Sequence, residues 1–140
     1  LDHDNIPTKN PLALVELNKD IIGCPYPNYT YKNGKLDVIW MAYKLKDGAY
    51  QPLPKGKGLQ KVDAVASGCV LISRKVIESG LRFEWRHDEK GEIQLGLDLN
   101  FCEQARHKGF EVWTHWDYIA SHIKEKDLLE ILQWKNKNQS

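Results

Sequence analysis

Residues 62–72 have the sequence VDAVASGCVLI, a run of apolar and β-branched residues interrupted by Ser67-Gly68. This composition is typical of strands buried in a sheet, so we predict a strand pair over residues 60–72 that is broken at Ser67-Gly68. A glycine inside a strand pattern marks a bulge or a place where another group approaches the backbone closely. A sugar or a phosphate is one such group, and packing within the protein explains the glycine equally well.

The segments on either side of residues 62–72 predict alternating strands and helices. We expect helices at residues 12–19, 74–79, 97–108 and 126–135, strands at residues 21–27, 36–45 and 111–116, and turns at residues 33–34 and 47–48. Residues 52–58, rich in proline and glycine, predict a loop, and residues 85–96 an exposed connection. The first four residues are typical of the end of a buried strand. The sequence therefore predicts an α/β fold, a mixed sheet with flanking helices.

Length and charge restrict the class of protein. The 140 residues suit one domain, residues 1–140, and a net charge of +1 provides no general attraction for nucleic acid or an anionic membrane. The longest apolar run, residues 38–43, is too short for a transmembrane segment. Three cysteines in apolar segments predict buried thiols in a reducing compartment, hence a cytoplasmic protein. A start at Leu1, without methionine or a signal-like region, predicts a piece of a longer protein.

Asp2 and Asp4 are the first candidate for chemistry. They flank His3, and alternation along an extended chain would aim both carboxylates the same way. Hard oxygen ligands in that arrangement suit Mg²⁺ or Mn²⁺. Aspartates at strand ends are also common as caps and turn residues, and these residues alone leave both interpretations open.

Asp98 and His122 are two further candidates. Helical spacing places Asp98 on the same face as Phe101, Cys102 and Ala105, so its carboxylate either stabilises the helix N-terminus or acts as a partly shielded general base. His122 follows a predicted strand, where an imidazole either completes a metal site begun by Asp4 or makes an ordinary hydrogen bond in a loop.

Trp85 is the candidate for stacking on a sugar, because it lies beside a polar connection while the other tryptophans are expected in the core. The remaining histidines lack zinc-finger spacing, and the cysteines include no Cys-x-x-Cys pair. We therefore expect no structural zinc site.

Four segments in this order resemble the second half of nucleotide-sugar glycosyltransferases with the A-type fold, similar to the large inverting family 2. They are LDHDNIP (residues 1–7), VDAVASGCVLI (residues 62–72), GLDLNFC (residues 96–102) with Gly109-Phe110, and His122. The resemblance covers nearly the whole chain. It implies a partial A-type fold that comprises the metal-binding and acceptor side of the catalytic domain.

The resemblance also implies a mechanism and its residues. Asp4 would ligate a Mn²⁺ or Mg²⁺ ion on the diphosphate of a UDP- or GDP-linked sugar, with Asp2 at the ribose or near the metal and His122 as a further ligand. The cation would assist departure of the nucleoside diphosphate. Asp98 would deprotonate the hydroxyl of an unknown acceptor, with inversion at the anomeric carbon. Ser67 and Gly68 would line the sugar pocket.

Two departures from the family pattern keep a second class of function open. Leu97 stands where the family commonly has glutamate before the catalytic aspartate, and the nucleotide-binding half that normally precedes the Asp-x-Asp element is missing. These departures favour a non-catalytic module, derived from the same fold, that binds carbohydrate or a protein. A metal-dependent phosphate hydrolase ranks third, because no second carboxylate cluster indicates a two-metal site.

Overall fold

The computed structural model describes residues 1–138, in which strands and helices alternate along the chain. The strands are β1 (Asn5–Pro7), β2 (Ile21–Gly23), β3 (Pro27–Lys32), β4 (Lys35–Trp40), β5 (Ala42–Lys46), β6 (Ala49–Pro52), β7 (Leu59–Val62), β8 (Ala64–Val65), β9 (Val70–Ile72), β10 (Arg86–His87), β11 (Ile93–Leu95), β12 (Val112–His115) and β13 (Ala120–His122). The α-helices are α1 (Arg74–Glu78), α2 (Leu97–His107) and α3 (Leu128–Asn138), and 3₁₀ helices span Pro11–Leu17 and Ser67–Cys69. The predicted α/β fold class is confirmed.

The central sheet has the strand order β7-β12-β2-β9 and mixes both pairing directions. Strand β12 runs parallel to β2 and antiparallel to β7, and β2 pairs antiparallel with β9. Because successive side chains point to opposite faces of a sheet, Ile21 and Ile22 enter two different core clusters. Phe101 of α2 packs in the cluster of Ile21, and Leu14 of the first 3₁₀ helix packs in that of Ile22.

Two hairpins extend from this sheet, and both predicted turns are confirmed. Asn33 and Gly34 join β3 to β4, and Asp47 and Gly48 join β5 to β6; all four have positive φ, as tight hairpin turns require. The single strand predicted at residues 36–45 is wrong, because the chain changes partners at Met41. Strand β4 pairs with β3, whereas β5 pairs with β6 and β8.

The helix predictions are largely confirmed. Gly80 follows α1 by two residues and Gly109 follows α2 by two, each with a φ of +88° that favours glycine after a helix. The first helix is a 3₁₀ helix, and the side chain of Asn10 accepts a hydrogen bond from Leu12 N at 3.1 Å. Helix α3 begins two residues later than predicted and ends three later, with no buried residue.

Two predictions of local structure need revision. The connection predicted at residues 85–96 is mostly exposed, as expected, but it contains a short hairpin of β10 and β11, because the chain reverses between Asp88 and Gly91. The first four residues do not end a buried strand: Leu1 is 74% exposed, and the strand begins at Asn5, where β13 becomes available as a partner. Within residues 1–138, no helix is long and apolar enough to span a membrane.

Candidate functional site

The break in the 62–72 segment is a turn to which three distant parts of the chain bind. Asp2 N donates to Gly68 O at 2.8 Å, Ser67 N donates to Asp98 Oδ2 at 3.1 Å, and Gly68 N donates to the Tyr26 hydroxyl at 3.2 Å. Two of the predicted site residues, Asp2 and Asp98, are thus held by neighbouring peptide groups of one turn. We call Ser67–Cys69 the central turn.

Gly68 has no room for a side chain. A Cβ atom there would lie 2.2 Å from Asn5 Oδ1 and 2.7 Å from the Tyr26 hydroxyl oxygen. Asn5 is buried and donates from Nδ2 to Ser121 O at 3.3 Å, so it cannot move aside freely. The close approach that the sequence predicted at this glycine is made by side chains of the protein itself.

Pairing of β1 with β13 places Asp4 beside His122. Asn5 is the register partner of His122, and Ile123 N donates to Asp4 O at 2.9 Å. As a result, Asp4 Oδ2 lies 3.4 Å from His122 Nε2. Two residues at opposite ends of the chain therefore form one polar pair.

The imidazole of His122 is fixed in orientation and is only 8% exposed. Its Nδ1 lies 2.9 Å from Pro27 O, and its ring packs against the edge of Tyr26 with ring centroids 5.0 Å apart. A carbonyl oxygen can only accept, so Nδ1 carries the proton of this hydrogen bond. In the neutral ring Nε2 then presents its lone pair toward Asp4, which is the orientation that metal-binding histidines have.

Lys124 binds the same oxygen of Asp4 from the solvent side. Its Nζ lies 2.9 Å from Asp4 Oδ2, and this hydrogen bond holds the pKa of Asp4 below its usual value. The Asp4 side chain is 22% exposed, and the ammonium group of Lys124 offsets its negative charge. The carboxylate of Asp4 is therefore already paired with the cationic side chain of Lys124.

Asp98 lies in the first turn of α2, where the helix dipole favours a negative charge, and its carboxylate accepts from Ser67 N. The carboxylate of Asp98 contributes to the pKa shifts of several neighbouring side chains. Burial raises the pKa of Tyr43 to about 12 and that of Cys102 to about 11, and Asp98 contributes to both increases. Burial also raises the pKa of Tyr26, the hydrogen bond from Gly68 lowers it, and the carboxylates of Asp98 and Asp2 raise it further. The carboxylate of Asp98 is thus only partly exposed and lies close to Tyr26, Tyr43 and Cys102.

The three predicted metal ligands are brought together only in part. Asp4 and His122 touch, while Asp2 approaches through its main chain at the central turn. In the described part of the chain, no three His, Cys, Asp or Glu side chains are grouped as ligands for one metal ion. The metal-binding roles of Asp2, Asp4 and His122 therefore stay predictions.

Trp85 is placed apart from the central turn. It is 50% exposed and packs beside Gly96, the residue before α2. It lines a cavity with Arg86 and Asn100, which none of Ser67, Gly68 and Asp98 lines. Among the described residues, the cavity that Trp85 lines does not include Ser67 or Gly68, the other two predicted substrate-binding residues.

Sequence reasoning missed Asn5, Tyr26 and Lys124. Asn5 and Tyr26 reach the central turn through pairings between distant segments, so no local pattern marks them. Lys124 carried a weak signal, because a lysine two residues after a predicted metal ligand in an extended segment lies on the same side of the chain. The prediction of free thiols is confirmed, because Cys24, Cys69 and Cys102 are unpaired and buried.

Comparison with known proteins supports the fold alone. No protein-family model matches the chain, and no curated protein matches it. Among solved structures, the crystal structure of A197 from STIV aligns with 89% of this chain at a TM-score of 0.54 and 18% sequence identity. The chain spans 56% of the length of that protein. The two chains thus share an α/β architecture.

Proposed function

We propose that this chain is the metal-binding and acceptor-side part of a metal-dependent glycosyltransferase, which transfers a sugar from a nucleotide-sugar donor to an acceptor hydroxyl. One observation carries the proposal. The segments on which the resemblance rests are far apart in sequence, yet Asp2 and Asp98 bind the central turn and Asp4 contacts His122. This convergence supports a shared site of the A-type glycosyltransferase kind.

The donor atoms of Asp4 and His122 fit a divalent cation. Two ligands that each lie about 2.1 Å from one ion are roughly 3.0–3.4 Å apart at the angles common in metal sites. The 3.4 Å between Asp4 Oδ2 and His122 Nε2 falls in this range. Asp4 and His122 would hold the ion, with Asp2 nearby, and a bound Mn²⁺ or Mg²⁺ would neutralise negative charge on the departing diphosphate.

Asp98 is the proposed general base. Its carboxylate would take the proton of the acceptor hydroxyl as that oxygen bonds to the anomeric carbon and the bond from this carbon to the diphosphate breaks. Attack opposite the leaving group inverts the configuration. The hydrogen bond from Ser67 N fixes the orientation of the carboxylate. The buried free thiols favour a reducing compartment, and we place the protein in the cytoplasm.

The test is calorimetric titration with UDP and with GDP, first with Mn²⁺ and then with a chelator. We expect binding that the chelator abolishes, weaker Mn²⁺ binding in Asp4→Ala and His122→Ala, and unchanged binding in Asp98→Asn. Glu125→Ala is the control, because this exposed carboxylate lies next to Lys124 but outside the site. Equal loss of Mn²⁺ affinity in all three site variants would contradict the proposed roles.

The contact between Lys124 and Asp4 favours a second candidate, a non-catalytic module that binds carbohydrate or a protein. An ammonium group already neutralises the carboxylate that would hold the metal. Sugar binding that a chelator does not change, together with no affinity for either nucleotide, would support the module. Replacement of Lys124 by methionine separates the two, because it should tighten Mn²⁺ binding only if Asp4 is a metal ligand.

A further inference from the structure

The cavity that Trp85 lines lies beside α2, away from Asp98. It has a volume of about 430 Å³, within the range of small-molecule sites, and its lining includes Arg82, Glu84, Trp85, Arg86, Asn100 and Gln104. At 3.6 residues per turn, Asp98 and Asn100 point about 160° apart around the helix axis. The cavity is therefore separate from the site proposed for catalysis.

Asn100 lines this cavity and has a hydrogen-bond acceptor without a partner among the described residues. The residue is only 8% exposed, and its Nδ2 donates to Glu84 O at 2.9 Å, which fixes the orientation of the amide. Its Oδ1 is buried and has no partner within the described residues. A buried polar atom without a partner normally indicates a missing water or ligand.

Arg86 lines the same cavity and has a donor without a partner among the described residues. Its Nη1 binds Glu103, while its buried Nε has no partner in the part of the chain that the structure describes. Arg82 Nη1 donates to Leu81 O at 2.8 Å, and the acidic residue Glu84 also lines the cavity. The guanidinium groups are engaged and a negative charge is present, so the cavity suits a neutral ligand better than an anion.

Trp85 adds a flat apolar wall, with half of its surface exposed. An aromatic face beside a separate acceptor and donor matches a sugar ring, whose C–H face packs on the indole while its hydroxyl groups both donate and accept. We propose that this cavity binds a neutral saccharide, at a site distinct from Asp4, His122 and Asp98. The sugar contacts Trp85, Asn100 and Arg86.

The experiment titrates the full chain with methyl glucoside, methyl galactoside and methyl mannoside, in the presence of a chelator and without nucleotide. Resonances of the Trp85 indole and of the Asn100 and Gln104 side-chain amides are followed by NMR. We expect at least one glycoside to shift them, and Trp85→Ala to weaken its binding roughly tenfold. Trp134→Ala, a tryptophan replacement in α3, is the matched control and should bind as the unchanged chain does.

The outcomes separate this site from the proposed transferase. Unchanged glycoside binding in Asp4→Ala and Asp98→Asn supports a separate site, whatever the nucleotide titrations give. Loss of binding in those variants would overturn it, as would the absence of shifts with every glycoside up to its solubility limit. Because Asn100 is buried and its replacement can disturb folding, half-exposed Trp85 and exposed Gln104 carry the test.

Discussion

Gly68 shows how one residue constrains the candidate site. In Gly68→Ala the new Cβ would overlap Asn5 Oδ1 and the Tyr26 ring, and neither side chain is exposed enough to yield freely. We expect a loss of about 1–3 kcal/mol in the free energy of unfolding, measured by urea denaturation. Gly96→Ala is the control, because its nearest neighbour is Trp85 at 3.6 Å and no shift is needed. Equal losses in both variants would contradict the argument.

Asp20 makes stability depend on pH. Burial alone raises its pKa, but hydrogen bonds from Lys75 and from Glu111 N outweigh burial and leave the pKa below its usual value. Such a carboxylate stabilises the fold above its unfolded-state pKa of about 3.9, and the contribution is lost as the pH falls through the folded-state value. Because the Lys75 side chain is 66% exposed, we expect only about 1 kcal/mol.

The Asp20 prediction is tested by urea denaturation between neutral pH and pH 2. Asp20→Asn should lose stability at neutral pH and show a weaker dependence on acid than the unchanged chain. Asp37→Asn serves as the control, since this exposed carboxylate accepts a hydrogen bond from the neighbouring Val38 N. A variant with the same acid dependence as the unchanged chain would show that Asp20 does not contribute.

At the residue scale, sequence reasoning selected candidates by chemical type and by position relative to an element. Asp98 was found because helical spacing placed a carboxylate on the inward face, and the structure puts that carboxylate on Ser67 N. The pairing of Asp4 with His122 also agrees with the expected proximity. Trp85 is exposed beside a polar segment, as expected, but that position does not specify which cavity the side chain lines, and its contact with a sugar stays a prediction.

At the element scale, α3 differs from α1 and α2 because none of its described residues is buried. Its Glu130 contacts Tyr31 and Lys126, Lys126 Nζ lies 3.3 Å from the centre of the Tyr29 ring, and no residue of the helix is buried. An 11-residue helix has marginal stability alone in water. We therefore expect the polar contacts of Glu130 with Tyr31 and Lys126 to contribute strongly to the stability of α3.

Glu130→Ala tests that dependence. Loss of the contacts with Tyr31 and Lys126 should bring the amide hydrogen exchange of α3 close to that of an unfolded peptide, while amides of β2 and β12 keep their protection. Glu125→Ala removes a carboxylate outside the helix and should change neither set. Retained protection in α3 would mean that other contacts hold the helix.

Elements fixed by local signals were predicted well, and pairings between distant segments were not. Glycines with positive φ ended α1 and α2 and formed both hairpin turns where the sequence indicated. Pairing of β1 with β13 was missed, because three-residue strands carry no clear alternation and their partners lie at opposite ends of the chain. The break at Met41 was missed for a related reason. It arises because β4, before this residue, and β5, after it, pair with different strands.

At the scale of the whole molecule, Phe101 joins α2 to the central sheet. It is 1% exposed, stacks on Phe83 with ring centroids 4.1 Å apart, and packs in the cluster that contains Ile21 and Val112. Phe101→Ala should lower the free energy of unfolding by about 3–5 kcal/mol in urea denaturation. Ile123→Ala, at a residue that is 57% exposed, should cost far less. Similar losses would contradict the assigned core.

Pairing of β1 with β13 also has a consequence for the order of events during synthesis. Asn5 and Ser121, which are hydrogen-bonded, lie 116 positions apart in the chain. At about 5–20 residues per second, a ribosome needs several seconds to supply the second strand after the first. The contact of Asp4 with His122 therefore cannot form until both strands have been made. Because β12 ends at His115, shortly before His122, the complete central sheet and this polar pair become possible within about a second of each other.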